Sequence, residues 1–472
     1  MSKLSRPPAP PARQLEGEVR SSDPLRRLPG AVAGIDIGAH EIMVCVPGAN
    51  ETQIVRAFGN YTEHLYELAV WLKEHNVVSV AMESTGVYWV PLFELLESCG
   101  FECCLISAAI LKRFPGQKSD VLDCQRIQTL HSYGLLAGSF RPEADLIPLR
   151  TLLRHRAQLI QHRSPHILHM QKALLHMNLQ LSEVLSDVTG QTGLRIIRAI
   201  VAGERDPHTL AVLRDYRCKK EEAEIAQALT GTWRAEHLFV LAQSLALFDF
   251  YTRQIEACDQ EVERTYQATR PMWEEAEPPQ PTTPPDKKPH SHSKNHPYAA
   301  QTRAHLRRIA GVDLVAVDGL SVSLAQTIVA EVGTDMTRFP TEKRFCSWLG
   351  LAPHNDISGG KVLRSRTLKT HNRAGQAFRQ AAAAVMRADC AFGAFYRRLK
   401  SRLGPAQAAV ATAHKIARVV YRMLRDKVEY ERILAQEYEQ RFRENEIRYL
   451  TRKAAKLGLA VTPLAGAMNA VS

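Results

Sequence analysis

Short apolar runs alternate with amphipathic segments between residues 31 and 142, and this alternation restricts the fold more than any other feature of the chain. The first three runs are AVAGIDIG, EIMVCVPG and QIVRAFGN, and the turn residues between them predict three consecutive strands. After them the pattern predicts a helix, a strand, a helix, a strand and a helix, in that order. Such runs are buried when the strands form one sheet that helices cover, so the sequence predicts an α/β domain here.

The predicted order resembles the ribonuclease-H-like arrangement, in which the first strand lies beside the fourth. Asp36 stands in the middle of the first predicted strand, and Glu83 ends the fourth, VVSVAME. Both carboxylates can then face one edge of the sheet. A carboxylate between Ile35 and Ile37 is costly to bury without a partner, which favours a functional role for Asp36. Glu83 alone could be a surface residue at the end of a strand.

Asp120 and Asp123 are three residues apart in a predicted helix, so they are neighbours on one helix face. Either Asp120 or Ser119 could be the N-cap of that helix. Together with Asp36 and Glu83, the two aspartates would supply the oxygen ligands that Mg²⁺ prefers, and paired metal ions can clamp both the attacking and the leaving oxygen of a phosphodiester. The sequence therefore predicts phosphoryl transfer on nucleic acid.

The positive charge of the chain is concentrated near its C-terminus. The 472 residues carry 61 Lys and Arg against 49 Asp and Glu, a formal net charge of +12. Residues 361–427 alone hold 16 Lys and Arg against 2 acids, a net of +14, so the remainder sums to −2. Solvated helix faces normally mix both signs. The segregation therefore favours a surface that neutralises nucleic-acid phosphates.

The length of 472 residues is too great for one ordinary core and predicts two or three domains, α/β plus all-α. Composition and periodicity set their limits. We expect a disordered basic arm at 1–30, the α/β catalytic domain at 31–142, a helical or coiled-coil region at 143–270, a Pro- and His-rich linker at 271–300, a mostly helical C-terminal domain at 301–440 and a helical or disordered tail at 441–472.

Three expectations concern the helical regions. Pro165 should break or restart the first long helix after residue 143. The long helix expected over 235–266 could form an oligomerising coiled coil, or it could pack inside its own protomer. Near residue 310, LRRIAGVDLVAVDGLSVSLAQTIVAEVG predicts a helix-hairpin-helix-like element, in which a glycine-containing hairpin presents N–H groups to phosphate.

Cysteine usage and hydropathy indicate the compartment. The nine cysteines include no paired C-x-x-C units, which argues against a disulfide framework or a zinc ribbon. No apolar stretch reaches the roughly 18 residues of a membrane span, and the N-terminus lacks a signal-peptide core. We therefore expect a protein of the reducing cytoplasm.

The motifs of the chain, in their order, resemble those of the DEDD transposases of bacterial insertion sequences. They are GIDIG, AMESTGVYW, PGQKSDVLDCQ, GLLAGSFRP and LRTLLRHR, followed by AEVGTDMTRFPTEKRFCSWLGLAP, ISGGKVL and RAGQAFRQAA. The resemblance covers about residues 31–430. It implies a RuvC-like N-terminal domain, similar to Holliday-junction resolvases, and a C-terminal transposase domain. The implied activity is excision and integration of an insertion element by a cytoplasmic, nucleoid-associated bacterial enzyme.

The same resemblance implies roles for individual residues. Asp36, Glu83, Asp120 and Asp123 would be catalytic acids that bind Mg²⁺, and Ser358 would be the nucleophile that forms a covalent serine–DNA phosphodiester. The implied partners are the DNA of the element ends and the target, and a structured non-coding bridge RNA as guide. Further copies of the chain are also implied, in a dimer or tetramer whose composite site joins the acids of one protomer to the serine of another.

From the residues alone, Ser358 is a weak signal, because Ser-Gly-Gly is usually only a turn. Its surroundings nevertheless suit phosphate chemistry, since Gly359 and Gly360 allow close backbone approach and nearby cations can stabilise negative charge in a transition state. The candidate nucleic-acid-binding residues are the cations that follow: Lys361, Arg364, Arg366, Lys369, Arg373 and Arg379.

Two other functions are open at this point. A RuvC-like structure-selective nuclease would use the four acids with water as the nucleophile, and it would leave hydrolysed ends. A non-catalytic nucleic-acid-binding protein derived from such an enzyme would use only the basic C-terminal helices. The intact set of four acids together with Ser358 argues against such decay.

Overall fold

The computed structural model describes residues 27–84, 86–111, 119–269, 299–367 and 372–462. Most of the expected arm at 1–30, nearly all of the expected linker at 271–300 and the end of the expected tail lie outside the described residues. The chain divides into two units, Met1–Arg141 and Pro142–Ser472, each with its own hydrophobic core.

A five-stranded mixed sheet forms the centre of the first unit. Its strands are β1 (Ala31–Ile37), β2 (Glu41–Pro47), β3 (Gln53–Gly59), β4 (Val77–Glu83) and β5 (Glu102–Ile106). Their order across the sheet is β3-β2-β1-β4-β5. The strands β1, β2 and β3 are antiparallel neighbours, whereas β4 runs parallel to both β1 and β5. The predicted order of strands and helices is confirmed, including the position of the first strand beside the fourth.

Helices cover both faces of this sheet. They are α1 (Thr62–Glu74), α2 (Trp89–Ser98), the short α3 (Ala108–Leu111) and α4 (Asp120–Ser132). On one face, Ile35 of β1 forms the main core with Leu68 of α1 and Leu96 of α2. On the other face, Ala81 of β4 packs with Ile127 of α4. The predicted α/β domain is therefore present.

Two long antiparallel helices organise the first half of the second unit. They are α5 (Ile147–His176) and α10 (Ala235–Ala268), and the chain between them forms α6 (Leu181–Val184), α7 (Gln191–Ala202), α8 (Pro207–Val212) and α9 (Glu222–Ala228). Arg156 of α5 is ion-paired with Asp259 near the end of α10, and His176 at the end of α5 stacks on His237 near the start of α10. The helix expected over 235–266 therefore packs inside its own protomer, and its role in oligomerisation stays a prediction.

The helix α5 runs unbroken through Pro165, so the expectation that this proline breaks or restarts it is wrong. Contacts with α10 hold α5 on both sides of the proline. Arg163 donates a hydrogen bond to the Thr252 hydroxyl at 3.4 Å, and the His166 ring stacks on that of Tyr251 at a centroid distance of 5.6 Å. Packing along this face offsets the hydrogen bond that proline cannot donate.

The second half of the second unit is mostly helical and contains one hairpin. Its elements are α11 (Ala299–Ala310), α12 (Val322–Val332), α13 (Glu342–Trp348), β6 (Pro353–Ser358), β7 (Lys361–Thr367), α14 (Arg373–Val385), α15 (Ala391–Leu403), α16 (Pro405–Asp426) and α17 (Ala435–Lys456). The turn between α11 and α12 contains Gly311 and Gly319, with φ of 73° and 90°, so the predicted pair of helices joined by a glycine-containing turn is present. Among the helices in the described part of the chain, none combines the length and apolarity that a membrane span needs.

Candidate catalytic site

The four predicted catalytic acids belong to three elements of the first unit, β1, β4 and α4. Residues two apart on a strand point to the same face of a sheet. Gly34 of β1 lies against the backbone of α4, so Asp36 points to the α4 side. Ala81 of β4 packs with α4, so Glu83 points to that side as well. The sheet therefore presents both acids to the helix that carries the other two.

The first turn of α4 fixes the positions of Asp120 and Asp123. Ser119 is the N-cap residue, because its hydroxyl accepts a hydrogen bond from the Leu122 N–H at 3.2 Å. Of the two residues that could have capped the helix, it is thus Ser119 that does so, which leaves the Asp120 carboxylate available. Both carboxylates stand in the first turn of α4, where the helix dipole favours negative charge.

Gly34 lets α4 approach β1 more closely than a side chain at this position would permit. A Cβ atom on Gly34 would lie 2.2 Å from the Gln128 nitrogen and 2.3 Å from the Cys124 carbonyl oxygen. Both contacts are with backbone atoms, so no change of rotamer would relieve them. Gly34 therefore sets the distance between β1 and the helix that carries Asp120 and Asp123.

The four acids interact electrostatically. The pKa of Asp36 is raised from 3.8 to about 6, first by burial and then by the negative charges of Asp123, Asp120 and Glu83. Like charges act on a carboxyl pKa in this way only at short range. Arg126 offsets part of the negative charge, because its guanidinium forms an ion pair with Asp123. The structure thus brings together the four acids that the sequence analysis selects, while their catalytic role stays a prediction.

The donor chemistry of this group fits a hard divalent cation such as Mg²⁺. All four groups are carboxylates, and a bound cation would relieve the repulsion that raises the pKa of Asp36. Within the residues that the structure describes, no three His, Cys, Asp or Glu side chains are already placed to hold a metal ion. The carboxylates would have to converge before they could hold one.

Ser358 lies in the second unit, at the tip of the hairpin that β6 and β7 form. Gly359 and Gly360 make the two-residue turn, with φ of 55° and 75°. Positive φ at both positions is typical of a type I′ turn, whose twist matches that of the two strands. The space around both glycines is open, and every residue from 353 to 366 is exposed. The predicted nucleophile is therefore accessible to a substrate as large as DNA.

Three predicted nucleic-acid-binding cations share a face of the hairpin with Ser358. Residues that pair directly across antiparallel strands point to the same face, as do residues two apart on one strand. The pairs on this face are Ser358 with Lys361, Asp356 with Arg364 and His354 with Arg366. The face therefore combines a hydroxyl with an excess of positive charge, an arrangement suited to a phosphate.

Aliphatic side chains occupy the opposite face at the same end of the hairpin. Ile357 pairs with Val362, one step from the turn. The register then shifts, because Asp356 pairs with Arg364 and leaves Leu363 as an extra residue in β7. Such a bulge turns two successive side chains of the bulged strand toward one partner residue. The face opposite Ser358 therefore carries the pair of Ile357 and Val362 at this end of the hairpin, and Leu363 stands at the bulge.

The other predicted cations are placed differently. Lys369 lies outside the described residues, and Arg373 is the first residue of α14. Arg379 is half-buried, and its guanidinium donates a hydrogen bond to the Gly350 carbonyl at 2.8 Å. This bond ties α14 to the end of α13, and a role of Arg379 in nucleic-acid binding stays a prediction.

Two residues of the site are missing from the sequence prediction. Gly34 stands two residues before Asp36 on the same strand face, and a glycine inside a strand is a signal of close backbone approach. Arg126 stands three residues after Asp123, at the spacing that lets oppositely charged side chains pair on a helix. Both signals are local, and both are visible in the printed sequence.

Two family models match the chain. A model of DEDD transposases of the IS110 type, described as transposase, matches residues 33–178, which include all four acids. A second model, described as transposase of the IS116/IS110/IS902 family, matches residues 312–397, which include Ser358 and its neighbouring cations. A search of curated proteins finds no match to the chain.

Proposed function

We propose that this chain, which belongs to the IS116/IS110/IS902 family of DNA transposases, cuts and rejoins DNA strands through a covalent bond between Ser358 and DNA. One observation carries the choice of a serine nucleophile: Ser358 is exposed at a hairpin tip and shares its face with three cations. Cations in this position can bind the phosphates on either side of an attacked phosphodiester. A nuclease that uses water needs no serine there.

The proposed reaction has two steps. In the first, the Ser358 Oγ loses its proton and attacks a DNA phosphorus, and the bond from that phosphorus to the 3′ oxygen breaks. The leaving oxygen takes up a proton and becomes a free 3′-hydroxyl, while the 5′ phosphate stays joined to the serine and preserves the energy of the phosphodiester. In the second step, a 3′-hydroxyl of another strand attacks the same phosphorus and releases Ser358.

The acids of the first unit would supply the metal-dependent part of the reaction. The strand order and the covering helices support a ribonuclease-H-like, RuvC-like assignment of this unit. Asp36, Glu83, Asp120 and Asp123 would hold Mg²⁺, which when bound favours the deprotonated form of an attacking hydroxyl and offsets charge on a leaving oxygen.

The partner of a transposase is DNA, and we further propose a structured guide RNA and assembly into a dimer or tetramer. The 16 Lys and Arg of residues 361–427, against 2 acids, support an extended contact with nucleic acid. Binding of an RNA transcribed from the ends of the element, measured against an unrelated RNA of equal length, tests the guide. The mass of the assembly in solution, measured with and without nucleic acid, tests the oligomer.

A covalent-adduct assay tests the nucleophile. The purified chain is incubated with element-end DNA, target DNA, the RNA and Mg²⁺, and protein–DNA adducts are separated under denaturing conditions. Ser358→Ala should abolish the adduct, and Asp36→Asn should abolish it while DNA binding persists. Ser365→Ala is a matched control, because Ser365 lies on the same hairpin with its side chain on the opposite face. An adduct that persists in Ser358→Ala, or cut ends that form without any adduct, would favour the water-using nuclease instead.

A further inference from the structure

A cavity of about 510 Å³ lies between α15, α16 and α17 of the second unit, and the segment 428–433, which joins α16 to α17, also lines it. Besides aliphatic side chains, its walls carry four aromatic rings, those of Phe392, Tyr430, Tyr438 and Phe442. Ligand pockets in proteins measure roughly 300–1,000 Å³ and are mostly apolar with a few polar groups. The cavity therefore has the size and the lining of a binding site.

Three of these rings are held in place by polar partners. Arg398 of α15 donates a hydrogen bond to the Tyr438 hydroxyl at 2.7 Å, and its guanidinium carbon lies 3.4 Å from the centre of the Phe442 ring. The Tyr430 hydroxyl donates a hydrogen bond to the Asp318 carboxylate at 3.1 Å. Rings that are already held lose little conformational freedom when a ligand packs on them, so the walls of the cavity are preorganised.

Lys415 of α16 places a cation in this aromatic cavity. Its ammonium lies 4.3 Å from the centre of the Tyr438 ring and 4.5 Å from that of Phe395. Burial, followed by the positive charges of Arg398 and Arg418, lowers the pKa of Lys415 to about 8, and no carboxylate in the described part of the chain offsets this effect. The protein thus keeps a cation here at a cost to its own stability. Such a cost is typical of a group that is retained for a function.

The charges within the cavity itself favour an anionic occupant. The charged side chains that line it are Lys415, Arg422, Arg441, Glu429 and Glu431. Arg441 is ion-paired with Glu437 at 2.5 Å, and Glu429 is ion-paired with Arg307 at 3.1 Å. Among the residues that the structure describes, these pairs leave Lys415 and Arg422 against one exposed acid, Glu431. An anion bound beside Lys415 would favour the charged form of its amine, which burial now disfavours.

The combination of flat aromatic walls and unpaired cations selects a nucleotide among anions. A nucleotide has a base with two apolar faces and a phosphate, and single-stranded nucleic acid is bound through aromatic stacking together with positive charge. In a duplex the faces of each base are covered by its neighbours, so only an unpaired nucleotide can place its base in a cavity between helices. Lys415 and Arg422 also belong to residues 361–427, which hold 16 Lys and Arg against 2 acids.

We propose that this cavity binds one unpaired nucleotide of a single-stranded nucleic acid, with the base against Tyr438 and Phe442 and the phosphate beside Lys415 and Arg422. The site goes beyond the proposed function, because it needs neither the serine nucleophile nor the four acids. Unpaired DNA and unpaired RNA offer the same base and phosphate, so the chemistry of the cavity fits both. Single strands of each kind distinguish the two sources.

Photocrosslinking locates the bound base. The full-length protein is irradiated with short single strands of DNA or of RNA that contain 5-iodouracil, which joins to an aromatic ring that stacks on it. Mass spectrometry of the digested protein should place the crosslink on Tyr438 or Phe442. The strand that gives the crosslink, DNA, RNA or both, identifies the source of the nucleotide. A crosslink found only elsewhere in the chain, or none, would overturn the proposal.

The ratio of single-strand to duplex affinity, measured by fluorescence anisotropy, tests the cavity separately from general binding of nucleic acid. Lys415→Met should lower the affinity for the single strand about fivefold and that for a duplex of the same sequence by less than about twofold. Tyr438→Leu, which removes the ring but keeps an apolar side chain, should lower the single-strand affinity about tenfold. Lys400→Met is the matched control, because it removes the same charge from an exposed position of α15 outside the cavity, and it should leave the ratio unchanged.

Misfolding and failure of the serine mechanism are both distinguishable from failure of the cavity. Lys415→Met removes a buried cation and should not destabilise the second unit, which urea unfolding checks, so a loss of affinity in this variant reports on the site. Neither assay includes cleavage, so both give a result whether or not Ser358 is the nucleophile. Equal losses of single-strand and duplex affinity in Lys415→Met, or an unchanged ratio in Tyr438→Leu, would overturn the proposal.

Discussion

Replacing Asp36 with asparagine should stabilise the first unit while it abolishes catalysis. Asp36 stands partly buried on β1, close to three further carboxylates, and its pKa is raised from 3.8 to about 6. A raised carboxyl pKa means that the folded protein disfavours the charged form. Asparagine has nearly the same shape and carries no charge at any pH, so it removes that cost and leaves the packing intact.

The size and the pH dependence of the effect follow from the shift. One pKa unit corresponds to about 1.4 kcal/mol, so a rise from 3.8 to about 6 corresponds to about 3 kcal/mol at most. Solvent reaches part of the Asp36 side chain and screens its charge, which lowers the expected gain to about 1–3 kcal/mol. The folded state binds the Asp36 proton more tightly than the unfolded chain does. The contribution of Asp36 to the free energy of unfolding of the wild type is therefore fully present below pH 3.8, and it is lost as the pH rises through about 6. The advantage of Asp36→Asn at pH 4.5 should therefore be about a third of its value at pH 8, where it is complete.

Hydrogen exchange of the β1 and β4 amides measures this stability within the first unit alone. After correction for intrinsic exchange rates, Asp36→Asn should increase protection at pH 8 much more than at pH 4.5. Glu67→Gln is the control, because Glu67 is an exposed carboxylate on α1. Mg²⁺ should add protection to the wild type at pH 8 and add less to the variant. Reduced protection in Asp36→Asn, or an equal gain at both pH values, would refute the view that burial and the neighbouring carboxylates disfavour the charged form of Asp36.

Three further substitutions have definite expected outcomes. Gly34→Ala should lower the free energy of unfolding of the first unit by about 2–3 kcal/mol, because the new Cβ would overlap backbone atoms of α4. Hydrogen exchange measures this loss of stability, and the adduct assay should show impaired catalysis. Lys415→Met should raise the free energy of unfolding of the second unit by about 1 kcal/mol at pH 7, as measured by urea unfolding. Lys415 lies between the rings of Phe395 and Tyr438, and burial lowers its pKa to about 8. That gain should vanish above about pH 10.5, where the amine is neutral in both states, and a gain that persists there would contradict its electrostatic origin. Pro165→Ala should stabilise the same unit by about 1–2 kcal/mol, because alanine restores a helix N–H at an exposed position, and a loss of stability in urea would contradict this account.

The placement of the four acids was predictable because it depends on local patterns. Alternation along a strand puts Asp36 and Glu83 on one side once the first and fourth strands are neighbours, and that adjacency comes from the resemblance of the element order to the ribonuclease-H-like arrangement. The helical period puts Asp120 and Asp123 together in one turn. Each of these inferences uses a few adjacent residues, and the first also uses a known strand order.

What the sequence does not reveal are contacts between residues distant in sequence. The prediction that Pro165 breaks its helix is wrong, because residues of α10, far along the chain, pack against α5. The hydrogen bond from the Arg379 guanidinium to the Gly350 carbonyl is a second such contact, and the role of Arg379 in nucleic-acid binding stays a prediction. Neither periodicity nor local charge records such contacts.

The bulge in β7 decides which cations accompany Ser358. In a regular strand, alternation would put Lys361 on one face and both Arg364 and Arg366 on the other. Because Leu363 is an extra residue, all three cations lie on the face of Ser358. The four acids fit serine and water equally well as the nucleophile, since carboxylates that hold metal ions serve either reaction. The register of this one short strand therefore supports the proposed serine nucleophile, which the acids alone do not distinguish from water.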